Sequence, residues 1–126
     1  MINAGVIGYG YWGPNIVRNF NSNPNINLSI ICDKSDDRLK VVKQIFPDMK
    51  ITNAYDDIIN SSEIDLVAIV TPVKTHYDLA KQALLNGKHI FIEKPFTLFT
   101  YQAEELIEIA DRKGLVIMVD HTFLFT

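Results

Sequence analysis

Three glycines near the amino terminus have the spacing of a phosphate-binding turn. Gly8, Gly10 and Gly13 follow the pattern G-x-G-x-x-G, directly after an apolar run and before residues with helical spacing. In such a turn the first glycine allows a sharp change of direction and the second leaves room beside the backbone. The third lets the helix approach the strand closely. The helix that begins here presents unpaired N–H groups and the positive end of its dipole, which together favour two linked phosphates.

An acidic residue stands where such a turn would need one to bind a nucleotide. Asp33 ends the second apolar run, about twenty residues beyond Gly13. A carboxylate there accepts hydrogen bonds from the ribose hydroxyls of adenosine, and it favours NAD over NADP because it would repel a 2′-phosphate. Lys34 and Arg38 are cations that could bind this phosphate, so NADP stays possible. The residues predicted to bind the cofactor here are Gly8, Tyr9, Gly10, Tyr11, Trp12, Gly13, Asp33, Lys34 and Arg38.

Polar residues also follow the third and fourth strong apolar runs. The third is followed by Thr71, Pro72 and, in the first turn of a predicted helix, His76. The fourth is followed by Glu93 and Lys94, and the proline after Lys94 disfavours helical geometry for that lysine. A lysine held at the carboxyl end of a strand can donate to a substrate oxygen and stabilise an alkoxide. The alternatives are a solvated charge for Lys94 and a helix-start residue for His76.

Strands and helices alternate along the chain. Unbroken apolar runs at 4–7, 28–32, 66–70, 90–92 and 115–119 predict buried strands, with a weaker candidate at 50–52. Apolar stripes predict helices through His76, Leu79, Ala80, Ala83 and Leu84, through Ala103, Leu106, Ile107 and Ala110, and through Leu39, Val42 and Phe46. Gly87 and Gly114 mark the ends of two of them. The pattern predicts a doubly wound α/β fold of the Rossmann type, with about six parallel strands and helices on both faces.

Composition bounds the classes of function. The 126 residues suffice for one domain, and twelve basic against fifteen acidic residues give a net charge of −3, which argues against a nucleic-acid or basic membrane-surface protein. No apolar run approaches the roughly 18 residues of a membrane span. The single cysteine, Cys32, excludes an internal disulfide and a cysteine-rich zinc site, and it favours a cytoplasmic protein. We predict no metal site, and the amino terminus has no signal for export.

The motifs resemble the amino-terminal half of the Gfo/Idh/MocA oxidoreductase family, over essentially the whole chain. The resemblance is carried by the glycine pattern, by Thr71-Pro72 with His76, and by Gly87-Lys88-His89 leading into Glu93-Lys94-Pro95. Residues 8–14 followed by Arg18-Asn19-Phe20 are most similar to members acting on nucleotide sugars, such as UDP-N-acetylglucosamine 3-dehydrogenases.

The resemblance implies hydride transfer between nicotinamide and a carbinol carbon of a sugar, nucleotide sugar or cyclitol. It implies that Thr71, Pro72 and His76 line the nicotinamide side and that Glu93 lies beside the cofactor. Lys94 would be the catalytic residue, bridging the cofactor ribose and the substrate. His121 matches a position that often approaches substrate.

The chain also departs from the family. Members run to more than twice this length, with a second domain that binds substrate, builds a homo-oligomer and holds an aspartate–histidine base. None of the three histidines matches that base, so we expect residues 1–126 to be a cofactor domain that binds NAD(H) without turning over sugar alone. The apolar residues Phe123, Leu124 and Phe125 predict a cut at a domain boundary, with self-association or disorder of these side chains once their cover is lost. The alternative is a final strand that packs into the sheet. The alternatives are a stand-alone nucleotide-binding or redox-sensing module, and a packing remnant without cofactor.

Overall fold

A computed structural model describes residues 1–10 and 13–120 of the chain. The strands are β1 (Ile2–Ile7), β2 (Ile26–Cys32), β3 (Lys50–Thr52), β4 (Leu66–Ile69), β5 (His89–Glu93) and β6 (Ile117–Asp120). The helices are α1 (Gly13–Ser22), α2 (Asp36–Ile45), α3 (Asp56–Ile59), α4 (His76–Leu85) and α5 (Thr100–Lys113), and a 3₁₀ turn (Val73–Thr75) precedes α4. The predictions for Tyr11, Trp12, His121 and the apolar residues 123–125 lie outside the described residues.

The strands form one parallel sheet in the order β3-β2-β1-β4-β5-β6. The chain builds outward from β1 through β2 and β3, then returns to the other side of β1 and builds outward through β4, β5 and β6. The strand order therefore reverses between β1 and β4, where loops of neighbouring strands leave the sheet in opposite directions and a crevice opens. This topology confirms the doubly wound α/β fold predicted from the sequence.

Two apolar layers cover the sheet, one on each face. Alternate residues of β4 show the arrangement, since Val67 and Ile69 contact the layer that contains Leu84 and Leu106 of α4 and α5. Leu66 and Ala68 contact the opposite layer, in which Ile16, Val17 and Phe20 of α1 and Val42 of α2 are buried. The side chains of a strand point alternately to the two faces, which is why a strand buried on both sides is an unbroken apolar run.

The bounds of most elements differ from the predicted ones by one or two residues. β1 begins earlier than predicted because Ile2 and Asn3 pair with Ile26 and Asn27 of β2, which is itself longer. β4 ends at Ile69, so its predicted last residue belongs to the following loop. β6 starts two residues later than predicted, and β3 has the predicted bounds.

The predicted apolar stripe of α5 is wrong at one position. Ile107 is 49% exposed, whereas Ile109 is buried with Leu106 and Ala110. Positions 106, 109 and 110 lie on one side of a helix with 3.6 residues per turn, and position 107 lies beyond the edge of that stripe. The four-residue helix α3 was not predicted, because one turn is too short to show a period, although Ile58 and Ile59 are buried.

None of the helices within the described part of the chain is both long enough and apolar enough to cross a membrane.

Candidate functional site

A cleft of about 870 Å³ lies at the carboxyl ends of the strands, at the point where the strand order reverses. Loops after β1, β2, β4 and β5 form its walls, together with the first turns of α2 and α4. Ten residues predicted from the sequence line it: Gly8, Gly10, Asp33, Lys34, Arg38, Thr71, Pro72, His76, Glu93 and Lys94. Tyr9 and Gly13 do not line it, and Tyr11 and Trp12 lie outside the described residues.

The three glycines of the turn differ in what surrounds them. Gly8 has a φ of +105°, and a Cβ there would lie 2.5 Å from the Val70 carbonyl oxygen. A Cβ on Gly13 would lie 2.9 Å from the Gly8 carbonyl oxygen, so both positions are closed to a side chain by backbone. Among the described residues, a Cβ on Gly10 would meet only the Arg38 guanidinium, at 3.5 Å. Packing against the described backbone therefore does not require glycine at position 10, and its missing side chain leaves the backbone accessible from the cleft.

Asp33 joins the glycine turn to the start of α2. Its carboxylate is almost buried, with 7% of the residue exposed. Oδ2 accepts the Tyr9 N–H at 2.7 Å and Oδ1 accepts the Ser35 N–H at 2.8 Å. Arg38 Nη1 lies 3.7 Å from Oδ2, at ion-pair distance. The carboxylate thus fixes the two loops that border the adenosine end of the predicted site.

Tyr9 takes part in the glycine turn through its backbone, while its side chain belongs to the core. The ring is buried in the layer formed by α1 and α2, beside Ile16 and Val17. Burial raises the pKa of the Tyr9 phenol, which keeps its hydroxyl protonated. The Tyr9 N–H is already donated to Asp33, so this residue shapes the cleft without lining it.

His76 connects the two strand ends at the other side of the cleft. The residue is 2% exposed, and Nε2 lies 2.8 Å from the Thr71 carbonyl oxygen after β4. Nδ1 lies 3.1 Å from the carbonyl oxygens of Pro95 and Phe96, after β5. All these neighbours are acceptors, so in either neutral tautomer the ring donates to one rim of the cleft only. Its nitrogens face the protein backbone, which makes His76 a residue that positions the cleft walls.

Lys94 and Glu93 differ in exposure although they are adjacent. Glu93 is buried at the end of β5, whereas Lys94 is exposed at the mouth of the cleft, before a cis peptide bond to Pro95. Both line the cleft. Among the described lining residues, four are Lys or Arg and three are Asp or Glu, an excess of one positive charge in a chain of net charge −3. This local balance suits an anionic ligand.

The cleft also has lining residues that the sequence did not predict, among them Asn53 and Lys74. Asn53 follows β3, and its Nδ2 donates to the Asp33 carbonyl oxygen at 3.1 Å and to Asp36 Oδ1 at 2.9 Å. Lys74 lies in the 3₁₀ turn before α4. The weak strand candidate at 50–52 was a usable signal for Asn53, because residues after every parallel strand meet at the same edge of the sheet.

The Gly87-Lys88-His89 motif lies at the opposite end of β5 from the cleft. Lys88 is buried, its Nζ donates to the Ser61 carbonyl oxygen, and burial lowers its pKa. His89 Nδ1 accepts the Val116 N–H at 3.0 Å. These contacts tie β5 to the loops before β4 and β6, so the motif stabilises the fold and does not contribute to the cleft.

Comparison with known proteins identifies the family of this domain. Residues 2–121 match the GFO_IDH_MocA family, described as an oxidoreductase family with an NAD-binding Rossmann fold. The chain is 38% identical over 125 residues to the uncharacterized oxidoreductase YdgJ of Escherichia coli, covering 95% of this chain and 34% of that protein. It is 31% identical over 118 residues to a UDP-N-acetylglucosamine 3-dehydrogenase of Acidithiobacillus ferrooxidans, covering 94% and 36%.

A crystal structure shows the same arrangement of strands and helices. A putative oxidoreductase from Bacteroides fragilis superposes with a TM-score of 0.90 at 35% identity, over 95% of this chain and 35% of that one. The chain therefore spans about a third of the length of the relatives it matches. On its sequence match, its fold and its cleft, the chain belongs to the Gfo/Idh/MocA oxidoreductase family, of which it is the NAD(P)-binding Rossmann domain.

Proposed function

We propose that this chain is the cofactor-binding part of an oxidoreductase that transfers hydride between nicotinamide and a carbinol carbon of a sugar, nucleotide sugar or cyclitol. The observation that carries the proposal is the missing side chain at Gly10, which lines a cleft at the switch point together with Asp33 and meets only the movable Arg38 guanidinium among the described residues. A pyrophosphate needs room beside the backbone, and a ribose needs a carboxylate nearby. The 31% identical dehydrogenase for UDP-N-acetylglucosamine supports the substrate class.

The two ends of the cleft take different parts of the dinucleotide. Gly8 and Gly10 border the pyrophosphate, and Asp33 accepts hydrogen bonds from the adenosine ribose. Tyr9, Gly13 and, on the sequence motif alone, Tyr11 and Trp12 are the other cofactor-binding residues of the proposal. Thr71, Pro72 and Glu93 border the nicotinamide side, and His76 holds that side in place through its backbone contacts. The carboxylate favours NAD, and the single buried cysteine favours the reducing cytoplasm.

Lys94 is the catalytic residue of this proposal. The bound nicotinamide supplies a carbon that accepts or gives hydride. The exposed ammonium of Lys94 would donate a hydrogen bond to the reacting oxygen of the substrate. Its charge would stabilise the alkoxide that forms as the hydroxyl gives its proton to the general base, before hydride leaves the carbinol carbon and a carbonyl results. This role distinguishes the enzyme from a nucleotide-sensing module, which has no need of a lysine at the cleft mouth.

Substrate turnover requires more than these residues. The resemblance places the general base, the substrate site and the oligomer contacts of the family in a second domain. We propose that the 126-residue chain binds NAD(H) without oxidising a sugar by itself, and that the whole enzyme is a homo-oligomer. Sugar-dependent formation of NADH by the purified chain would contradict the first of these points.

The test is a titration of the purified chain with NAD⁺ and NADH, followed by calorimetry and by NADH fluorescence. NAD⁺ at 100 times its Kd should also stabilise the fold by about 2.7 kcal/mol. The informative variant is Gly10→Ala, because among the described residues its new methyl group meets only the end of the flexible Arg38 side chain, so we expect the fold to stay intact. We expect this variant to melt like the wild type. It should bind NAD⁺ at least tenfold more weakly, because the methyl group takes room that the pyrophosphate needs. A tenfold change in Kd is about 1.4 kcal/mol. Equal affinity in both proteins would contradict the proposed site.

A further inference from the structure

Lys74 is a cation of the cleft that has no acidic partner among the described residues. It is exposed, and it lines the cleft on the wall formed by the loop after β4. No ion pair within residues 1–10 and 13–120 includes it, although Asp78 lies four residues further along the chain and also lines the cleft. The ammonium of Lys74 is therefore available to an anionic ligand.

The backbone that carries Lys74 is fixed by hydrogen bonds within the 3₁₀ turn. The N–H and the hydroxyl of Thr75 both donate to the Pro72 carbonyl oxygen, at 2.9 and 2.6 Å. The Thr71 hydroxyl lies 2.6 Å from that of Thr75, within hydrogen-bond distance. Because the backbone is already ordered, only the side chain of Lys74 loses conformational freedom when a ligand binds, which lowers the entropic cost of the contact.

The loop after β4 contacts the glycine turn. A Cβ on Gly8 would lie 2.5 Å from the Val70 carbonyl oxygen and 3.1 Å from Thr71 Cγ2. Lys74 follows Thr71 by three residues, so the Cα atoms of these two residues are at most about 11 Å apart. The glycine turn and this loop are therefore neighbouring walls of the cleft, and a lysine side chain on one wall can reach a group bound at the other.

The glycine turn leaves part of the charge of a diphosphate without compensation. The Gly8 N–H is donated to the Cys32 carbonyl oxygen at 2.8 Å, and the Tyr9 N–H is donated to Asp33 at 2.7 Å. Pro14, in the first turn of α1, has no N–H to offer. The dipole of α1 contributes roughly half an elementary charge, whereas each phosphate of a diphosphate brings a full negative charge. An ammonium nearby would supply the missing positive charge.

We propose that Lys74 binds a diphosphate in the cleft, from the wall formed by the loop after β4. The inference rests on the proposed function and adds to it a binding residue that lies outside the glycine motif. The diphosphate belongs either to the dinucleotide at the glycine turn or to a nucleotide-sugar substrate. In both, the ammonium donates charge-assisted hydrogen bonds to phosphate oxygens. The two sources predict different effects of the same substitution.

The experiment measures the Kd of ADP-ribose, and the Kd of UDP-N-acetylglucosamine at saturating NAD⁺, for the wild-type chain and three variants. Lys74→Gln removes the charge, Lys74→Arg keeps it, and Lys40→Gln removes an equal charge at an exposed position outside the cleft. If the dinucleotide is the ligand, the Kd of ADP-ribose should rise about tenfold in Lys74→Gln, because the charge-assisted hydrogen bond is lost. If the nucleotide sugar is the ligand, only its Kd should rise. We expect Lys74→Arg to stay within about threefold of the wild type and Lys40→Gln to match it.

Salt separates a charge effect from a change of shape. Between about 0.03 and about 0.3 M NaCl, the Kd of the affected ligand should rise more steeply in the wild type than in Lys74→Gln, because screening weakens the contact that the variant lacks. Melting temperatures establish that every variant is folded. An unchanged Kd of ADP-ribose in Lys74→Gln, with UDP-N-acetylglucosamine bound equally or not at all, would overturn the inference and leave the proposed function standing. A wild-type chain that binds neither NAD⁺ nor ADP-ribose would overturn both.

Discussion

The two ends of the cleft are built by different means. At the adenosine end, the glycine turn is fixed by backbone sterics at Gly8 and by the Asp33 carboxylate, which binds two loop N–H groups. At the nicotinamide end, a buried imidazole, His76, bridges two backbone segments, and the reactive side chain, Lys94, is exposed beyond it. At the adenosine end, the same residue, Asp33, holds the loops in place and would bind the ligand. At the nicotinamide end, His76 supports the cleft walls and a different residue, Lys94, would take part in the chemistry.

The largest expected effect is at Gly8. Replacing it with valine places a Cβ against the backbone of Val70 at a positive φ. Strain at such a backbone position costs about 1–3 kcal/mol, and overpacking adds about 1–3 kcal/mol. Urea unfolding should show a loss of this combined size, or no folded protein. The control is Gly10→Ala, for which we expect a loss below about 1 kcal/mol. Equal stability of the two variants would contradict the different roles assigned to the two glycines.

His76→Ala should have the next largest effect, because it removes a buried ring and leaves the carbonyl group that the ring donates to without its partner. Loss of buried hydrogen-bond partners costs about 1–3 kcal/mol, and the cavity adds to it. Lys94→Ala, at an exposed neighbouring position, should change the free energy of unfolding by less than about 0.5 kcal/mol. Chemical denaturation of both variants gives the comparison. A Lys94→Ala variant as unstable as His76→Ala would show that Lys94 also supports the fold, which contradicts the separate roles given to the two residues.

Asp33→Ala tests the coupling of shape and binding. It leaves the buried Tyr9 N–H without an acceptor, which costs about 1–3 kcal/mol. We expect this variant to lose stability and NAD⁺ affinity together, in the same denaturation and calorimetry experiments. Asp33→Asn keeps one acceptor oxygen, so its stability and its NAD⁺ affinity should both lie between those of Asp33→Ala and those of the wild type. Loss of affinity with full stability would mean that the carboxylate does not fix the loops.

The smallest effect concerns a polar cluster outside the cleft that links α4 and α5. The Tyr77 hydroxyl donates to Glu105, and Lys81 Nζ lies 3.2 Å from the same carboxylate. The hydrogen bond from Tyr77, followed by that from Lys81, lowers the pKa of Glu105 below its usual 4.5. A carboxyl whose pKa is lowered by folding stabilises the fold above its unfolded pKa, and this contribution is lost as the pH falls through the folded pKa.

The melting temperature should therefore fall slightly more steeply with decreasing pH below 4.5 in the wild type than in Glu105→Gln. The cofactor affinity should not differ between them at neutral pH, because none of the three residues lines the cleft. Identical pH profiles would exclude a stabilising role for this cluster.

Local signals account for what the sequence could predict. Strand positions follow from apolar runs, and the glycine turn and Asp33 follow from the spacing of a known nucleotide-binding motif. The choice between Ile107 and Ile109 depends on which side of α5 meets the sheet, which no local pattern states. The contact of the Asp33 carboxylate with Tyr9 joins residues 24 positions apart, and that of His76 with the Pro95 carbonyl oxygen joins residues 19 apart, so these roles required the folded chain.

The most direct test of the account is a crystal structure of the chain grown with NAD⁺. We expect the pyrophosphate beside Gly10 and the adenosine ribose within hydrogen-bond distance of Asp33, in the cleft between the ends of β1 and β4. Dinucleotide bound at any other surface, or a side chain of the protein filling the space beside Gly10 in crystals that contain saturating NAD⁺, would contradict it.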